Sequence, residues 1–324
     1  MDFIFPHPSY NNDITNKYLN RYKDYIIHIP TERKTNDEKE TENDILNFIF
    51  PSPVFNAKLI PDNIKEYIIY IPIEGEIKNS NNNEKIPCLF FKNENSSNIL
   101  IVFHCNGADM FDFFQLLKEM SKEYNINILI PEYPGYSIYD DSPYSSERCL
   151  ENSLIIYDYI LKNIKNITEK NIFILGRSLG TGPSIYLSSK RNCAGTFLIS
   201  PYTTFGSVGK PFHNKEKYEA LSKHFRSIDY IDKVNNPLLI IHGKADRLIN
   251  YKDSIELYEK CKKDIIKDIE LFDGMGHNYN SIYLINLIIP SIIKFTEKNC
   301  PSYKIENKNI IIDFDKKLYA LPKK

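Results

Sequence analysis

From Ile86 onward, short apolar runs alternate with segments of helical period, and this alternation constrains the fold more than any other feature of the chain. The runs are IPCLFF (Ile86 to Phe91), NILIVFH (Asn98 to His104), INILIPEY (Ile126 to Tyr133), NIFILG (Asn171 to Gly176), GTFLIS (Gly195 to Ser200), PLLIIHG (Pro237 to Gly243) and KDIELFD (Lys267 to Asp273). Between them lie helix-period segments such as Met110 to Tyr124, Ser145 to Ile164 and Lys252 to Lys263. Short β-rich runs separated by amphipathic helices predict a mostly parallel sheet with helices on both faces. Runs such as LIVF and LLII lack polar alternates, as strands buried on both sides do. Ligands of such sheets bind beyond the carboxyl ends of the strands, so chemistry is expected in the loops that follow each strand.

The loop after Phe173 to Leu175 is Gly176-Arg177-Ser178-Leu179-Gly180, a G-x-S-x-G pentapeptide between a strand and a helix. One reading is a nucleophile held on a strained turn at a helix N-terminus. The other is an ordinary strand-to-helix turn with serine as a cap. A serine hydroxyl needs a base near neutral pH. Of the seven histidines, His277 in FDGMGHNYN follows the last strand-like run, with Gly274 and Gly276 to fold the loop back. His104 and His242 also follow strands and read as structural, and His7, His28, His213 and His224 lie outside these loops. The base needs a carboxylate to hold its tautomer. Asp246 in IIHGKADRLIN fits, and Asp273, four residues before His277, is the rival. The order Ser178, Asp246, His277 favours Asp246. An oxyanion hole is expected from the backbone N–H of Leu179 and from the loop VFHCNGADM, with Asn106 as second donor and Cys105 as its alternative.

FHCNGADMFDFF, PEYPGYS, NIFILGRSLGTGPSIYLSS, FLISPYTTF, PLLIIHGKADRLIN and GMGHN together resemble successive motifs of one α/β-hydrolase family. It is the intracellular group of serine hydrolases that removes palmitate from protein cysteines, with its Bem-type relatives. The resemblance covers roughly residues 86 to 290, and PxPSY at Pro6 to Tyr10 is similar to that family's entry segment. It implies an α/β-hydrolase fold, Ser178 as nucleophile, His277 as base, Asp246 as supporting acid, and cleavage of acyl thioesters or esters. The chain departs from the family in having Cys105 where glycine is usual, and in having no cysteine before Cys88.

Three regions flank or interrupt this core of residues 86–300. Residues 1–85 hold an internal duplication (3–30 and 48–72). FIFPHPSYN and DYIIHIP (Phe3 to Asn11, Asp24 to Pro30) return as FIFPSPVFN and EYIIYIP (Phe48 to Asn56, Glu66 to Pro72). The charged stretch Thr31 to Asp44 separates the copies, and NSNNNE (Asn79 to Glu84) reads as a loop. The Phe/Ile/Pro segments read either as cover for a sheet edge or as a peripheral contact with a membrane or partner. Only 36 residues, Pro201 to Asn236, separate the strands at Ser200 and Pro237, which predicts a minimal lid with a short helix at Lys215 to Phe225. Tyr202 and Phe205 read as acyl-pocket lining or as core, and Arg177 as a pocket group favouring an anion or as a surface arginine. In the tail 301–324, Asn309 to Asp315 reads as an added edge strand or a docking segment.

A formal net charge of −1 offers no basic footprint for nucleic acid. The six cysteines are scattered without metal-ligand spacing, and no HxxxH motif or carboxylate cluster appears, so no metal or cofactor is expected. Scattered cysteines in apolar segments fit a reducing, cytoplasmic compartment. The start, MDFIFPHPSY, has a brief apolar run broken by Pro6 and Pro8 with no basic flank, unlike a secretory signal. The expected partner is an acylated protein or a lipid ester. A small-molecule carboxylesterase or peptidase on the same fold is the alternative, and a non-catalytic scaffold is the third reading.

Overall fold

Strands β1 (Ile68–Pro72), β2 (Lys85–Phe91), β3 (Ile99–Phe103), β4 (Asn127–Pro131), β5 (Ile172–Arg177), β6 (Gly195–Ile199), β7 (Leu238–Gly243) and β8 (Lys267–Phe272) form one sheet in the order β1-β2-β4-β3-β5-β6-β7-β8. The computed structural model describes residues 60–73, 84–139, 142–208, 215–279, 281–304 and 311–320. The first repeat copy, the linker Thr31 to Asp44, the segment Phe48 to Asn56, most of Asn79 to Glu84, and with them the membrane-contact reading, lie outside the described residues. β2 runs antiparallel to both its neighbours, and from β4 to β8 every pairing is parallel.

The sheet is buried on both faces because its strands carry apolar residues at both parities. On β3, Ile99, Ile101 and Phe103 pack in one core cluster, and Leu100 and Val102 pack in the other. On the first face lie α2 (Ser146–Asn163), through Cys149, Ile156 and Ile160, and α3 (Thr181–Lys190), through Leu187. On the opposite face lie α1 (Phe114–Glu123), through Phe114 and Leu117, and α6 (Ile289–Asn299), through Phe295. α5 (Tyr251–Lys260) covers β7 on the α3 side, where Leu257 joins Ile185, Leu238 and Ile240. Helix starts follow their caps: the Ser145 hydroxyl accepts from the Arg148 N–H and the Asn250 side chain from the Lys252 N–H. The six cysteines are free and buried.

The second copy of the N-terminal repeat supplies β1, paired from Ile68↔Leu89 to Pro72↔Lys85. Of the two readings of the tail, an added edge strand or a docking segment, the strand does not form among the described residues. Residues 311–315 are extended without strand pairing, and Tyr319 makes one antiparallel bridge to Ile69. What holds the tail is side-chain packing: the Phe314 ring meets Phe90 edge-on at 4.8 Å, and Asp313 pairs with Lys92 at 2.8 Å. Among the described residues between β6 and β7 lie one α-helix, α4 (Lys215–Leu221), and three short 3-10 turns at Phe205–Ser207, Ser227–Asp229 and Ile231–Lys233. The loop before α4 is tied down by Asp253, whose carboxylate accepts from the Thr203 N–H at 3.1 Å and from the Ser207 hydroxyl. Among the described residues, no helix is long and apolar enough to cross a membrane.

Candidate active site

β5 ends at Arg177, and the chain turns into α3 through Ser178–Gly180. Ser178 sits at φ +52°, a left-handed conformation that costs a non-glycine residue on the order of 1–3 kcal/mol. The two flanking glycines are there for space. A Cβ on Gly176 would stand 2.4 Å from the Gly180 oxygen, and one on Gly180 would stand 2.1 Å from the Phe103 oxygen. The turn is pinned from below. The Thr181 hydroxyl donates to the Ser178 carbonyl at 2.7 Å, and the Tyr202 hydroxyl donates to the Leu179 carbonyl at 3.0 Å. This is the strained strand-to-helix geometry that lifts a serine Oγ to the top of a parallel sheet.

The loops after β5, β7 and β8 bring three side chains into line. Ser178 Oγ lies 3.0 Å from His277 Nε2, and His277 Nδ1 lies 2.8 Å from Asp246 Oδ2. Asp273 instead pairs with Lys244 at 2.9 Å. The second oxygen of Asp246 accepts from the N–H groups of Leu248 and Ile249, both at 2.8 Å. Burial works to raise the Asp246 pKa, but hydrogen bonds from His242 and His277 and the His277 charge outweigh it and hold the carboxyl below the usual range. Burial pulls the His277 imidazole below its ordinary value; Asp246 pulls the other way, and the Arg177 charge adds to the downward push. A base kept neutral and aimed at a hydroxyl can take that hydroxyl's proton.

Sequence reasoning did not find the part played by His242. The ring is fully buried, with Nε2 3.3 Å from Asp246 Oδ2 and Nδ1 2.6 Å from the Ser254 hydroxyl, so it backs the same carboxylate oxygen that His277 meets. Nor did it find the anchor of the loop after β3. His104 Nδ1 lies 3.0 Å from the Cys105 carbonyl, and Nε2 lies 3.0 Å from Glu132 Oε1. Glu132 also accepts from the Met110 and Tyr133 N–H groups, and the Tyr136 hydroxyl donates to the Asn106 side chain at 2.8 Å. The available signal was adjacency: His104 and Glu132 each directly follow one of two neighbouring strands, β3 and β4. This network holds Cys105 and Asn106 beside the elbow, because β3 pairs with β5 up to Phe103↔Gly176.

Of the three residues weighed as pocket lining, Tyr202 and Phe205 take the core alternative, 0% and 2% exposed, packed edge-on at 5.9 Å beneath the elbow. They present no surface to an acyl chain. Arg177 is half-buried, and its guanidinium meets protein groups of two loops. Its Nη1 donates to Cys105 Sγ at 3.3 Å, its Nη2 donates to the His277 carbonyl at 3.2 Å, and it lies 4.8 Å from the Tyr279 ring centre. Among the described residues, no group of His, Cys, Asp and Glu is arranged to hold a metal ion.

Comparison with known proteins agrees with this architecture. The chain is 30% identical over 198 residues to alpha/beta hydrolase domain-containing protein 17C of Xenopus tropicalis, spanning 60% of this chain and 61% of that protein. It is 28% identical over 212 residues to alpha/beta hydrolase domain-containing protein 17B of Homo sapiens, spanning 65% of this chain and 71% of that one. Residues 206–261 match the BD-FAE family model. The structure of the Pyrococcus furiosus esterase Pf2001 superposes with a TM-score of 0.56 at 17% identity, covering 78% of this chain and 99% of that one. The fold is that of the α/β hydrolases.

Proposed function

We propose that the chain is a serine acyl hydrolase that works through a covalent acyl-enzyme. The observation that carries the proposal is the hydrogen-bonded line from Ser178 through His277 to Asp246, at 3.0 and 2.8 Å. Ser178 Oγ attacks the acyl carbonyl while its proton passes to His277 Nε2. The carbonyl oxygen becomes an oxyanion facing the N–H groups of Leu179 and Asn106. Collapse breaks the bond to the leaving thiolate or alkoxide, which takes the proton from His277. Water then attacks the acyl-enzyme, gives a proton to His277, and releases the carboxylic acid as the proton returns to Ser178.

The family resemblance supports, as substrate class, long-chain acyl groups in thioester linkage to protein cysteine, removed as free fatty acid. Similarity to alpha/beta hydrolase domain-containing proteins supports the hydrolase reading. The short connection between β6 and β7, whose α-helix among the described residues has seven residues, supports a site that admits an acyl chain carried on a bulky partner.

The test is labelling of the purified protein by a serine-reactive fluorophosphonate, beside Ser178→Ala and His277→Ala. Wild type is expected to label and both variants to lose labelling. Palmitoylated and acetylated thioester peptides then compete for hydrolysis, and the long chain is expected to be preferred. A folded wild type that does not label would overturn the reading. Labelling with preference for short soluble esters would move the substrate to small-molecule esters.

A further inference from the structure

We propose that Arg177 is a positioning residue, whose guanidinium holds the loop after β3 and the loop after β8 in register across the nucleophile turn. The proposal deepens the hydrolase reading and rests on it. The two loops leave strands far apart in the sheet: β3 adjoins β5 on one side, whereas β8 lies three strands away on the other. Something must tie the base to the oxyanion donors across that distance. Arg177, the residue before the nucleophile, reaches both. One arm of its fork donates to Cys105 Sγ and the other to the His277 carbonyl, with Tyr279 of the same loop beneath the guanidinium.

The contacts complement those of the reacting groups. Ser178 and Asp246 fix the His277 ring, and Arg177 fixes the backbone that carries the ring. On the other loop, His104 takes the Cys105 carbonyl while Arg177 takes its sulfur. In a trans peptide the N–H points opposite to the preceding carbonyl. Holding the Cys105 carbonyl toward His104 therefore turns the Asn106 N–H away from His104, and the sulfur contact stops the loop from rocking. The cysteine at position 105, where the resembling family has glycine, then has a purpose: it is the atom that Arg177 grips.

Charge offers a second readout. The groups that act on His277 are Asp246 and His242 from β7 and its loop, Ser178 from the turn, and Arg177 from β5. Arg177 is positive and disfavours the imidazolium. Removing it raises the pH at which the base becomes protonated; replacing it with lysine does not.

The experiment measures kcat, KM and the pH midpoint of fluorophosphonate labelling for wild type, Arg177→Gln, Arg177→Lys and Cys105→Ala. Circular dichroism establishes folding, and a neutral and an anionic p-nitrophenyl ester serve as substrates. Arg177→Gln is expected to lose about 10- to 100-fold in kcat, with KM within about twofold and the midpoint moved up. Arg177→Lys is expected to keep the wild-type midpoint while still losing rate, because it keeps the charge and not the fork. Cys105→Ala is expected to lose rate less, at an unmoved midpoint. Wild-type rate and midpoint in Arg177→Gln would overturn the proposal. So would full rescue by lysine, or a rise in KM confined to the anionic ester. A wild type that fails to label overturns the hydrolase reading instead, so the two failures are distinct.

Discussion

At the scale of single residues, the site depends on contacts with no slack. Gly180 has none: added carbon would meet the Phe103 oxygen at 2.1 Å and the His104 oxygen at 2.7 Å, both backbone atoms that cannot swing away. Gly180→Ala is expected to cost about 1–3 kcal/mol by overpacking, read as a lower urea midpoint, and to slow labelling because the turn must lift off β3. An unchanged midpoint would contradict the close approach. Asp246→Asn keeps the shape and removes the charge that orients His277 Nδ1–H. Turnover is expected to fall by about 10⁴, with labelling by the fluorophosphonate slowed in parallel. That Ser178, His277 and Asp246 come together was legible in the sequence because each follows a strand end in an order that places all three at one end of the sheet. Arg177, His242 and Glu132 were not, because their roles depend on which loops meet across the sheet, and strand order is not written in local pattern.

At the scale of elements, the seven strand-like runs from Ile86 onward all became strands, with ends that differ from the runs by no more than two residues. Apolar periodicity specified them because burial on both faces leaves little freedom in composition. The tail was harder to read. Its apolar run has strand chemistry, but Ile312, Phe314 and Leu318 are spent on side-chain packing over β1, β2 and α2, and backbone pairing is confined to the bridge at Tyr319. Phe314 is 6% exposed between Phe90 and Tyr159. Phe314→Ala is expected to destabilise the fold by about 3 kcal/mol while leaving labelling by the folded fraction intact. A change of a few tenths would show the tail to be a loose appendage.

At the scale of the whole molecule, acid and base act on stability through buried groups of opposite sense. His277 and Asp246 have depressed pKa values, so the unfolded chain binds their protons more readily and stability falls as pH drops. Asp109 does the reverse. Burial first, then the charges of Glu132 and Asp112, push it from 3.8 up to about 7. Its contribution is therefore complete below 3.8 and lost as pH rises through about 7. Asparagine keeps an acceptor for the Phe111 and Asp112 N–H groups that Asp109 caps. Asp109→Asn is expected to stabilise the protein more at pH 8 than at pH 4, by upwards of about 1 kcal/mol in urea unfolding. Equal effects at both pH values would mean that the carboxyl is not strained by burial.

The two ends of the sheet are finished differently, and this bears on how the protein behaves in crowded solution. β8 carries Lys267, Asp268 and Glu270 along its length, and charges on an outer strand discourage another chain from pairing there. β1 is IIYIP, with nothing charged to repel a visitor. Its outer side is met by Tyr319 and Ala320, which bridge to Ile69 and take the Ile68 carbonyl. The last turn of the tail thus acts as a stopper. A chain trimmed before Asp315 would lose the contacts that meet the outer side of β1 among the described residues, and its yield and shelf life would be limited by concentration-dependent clumping.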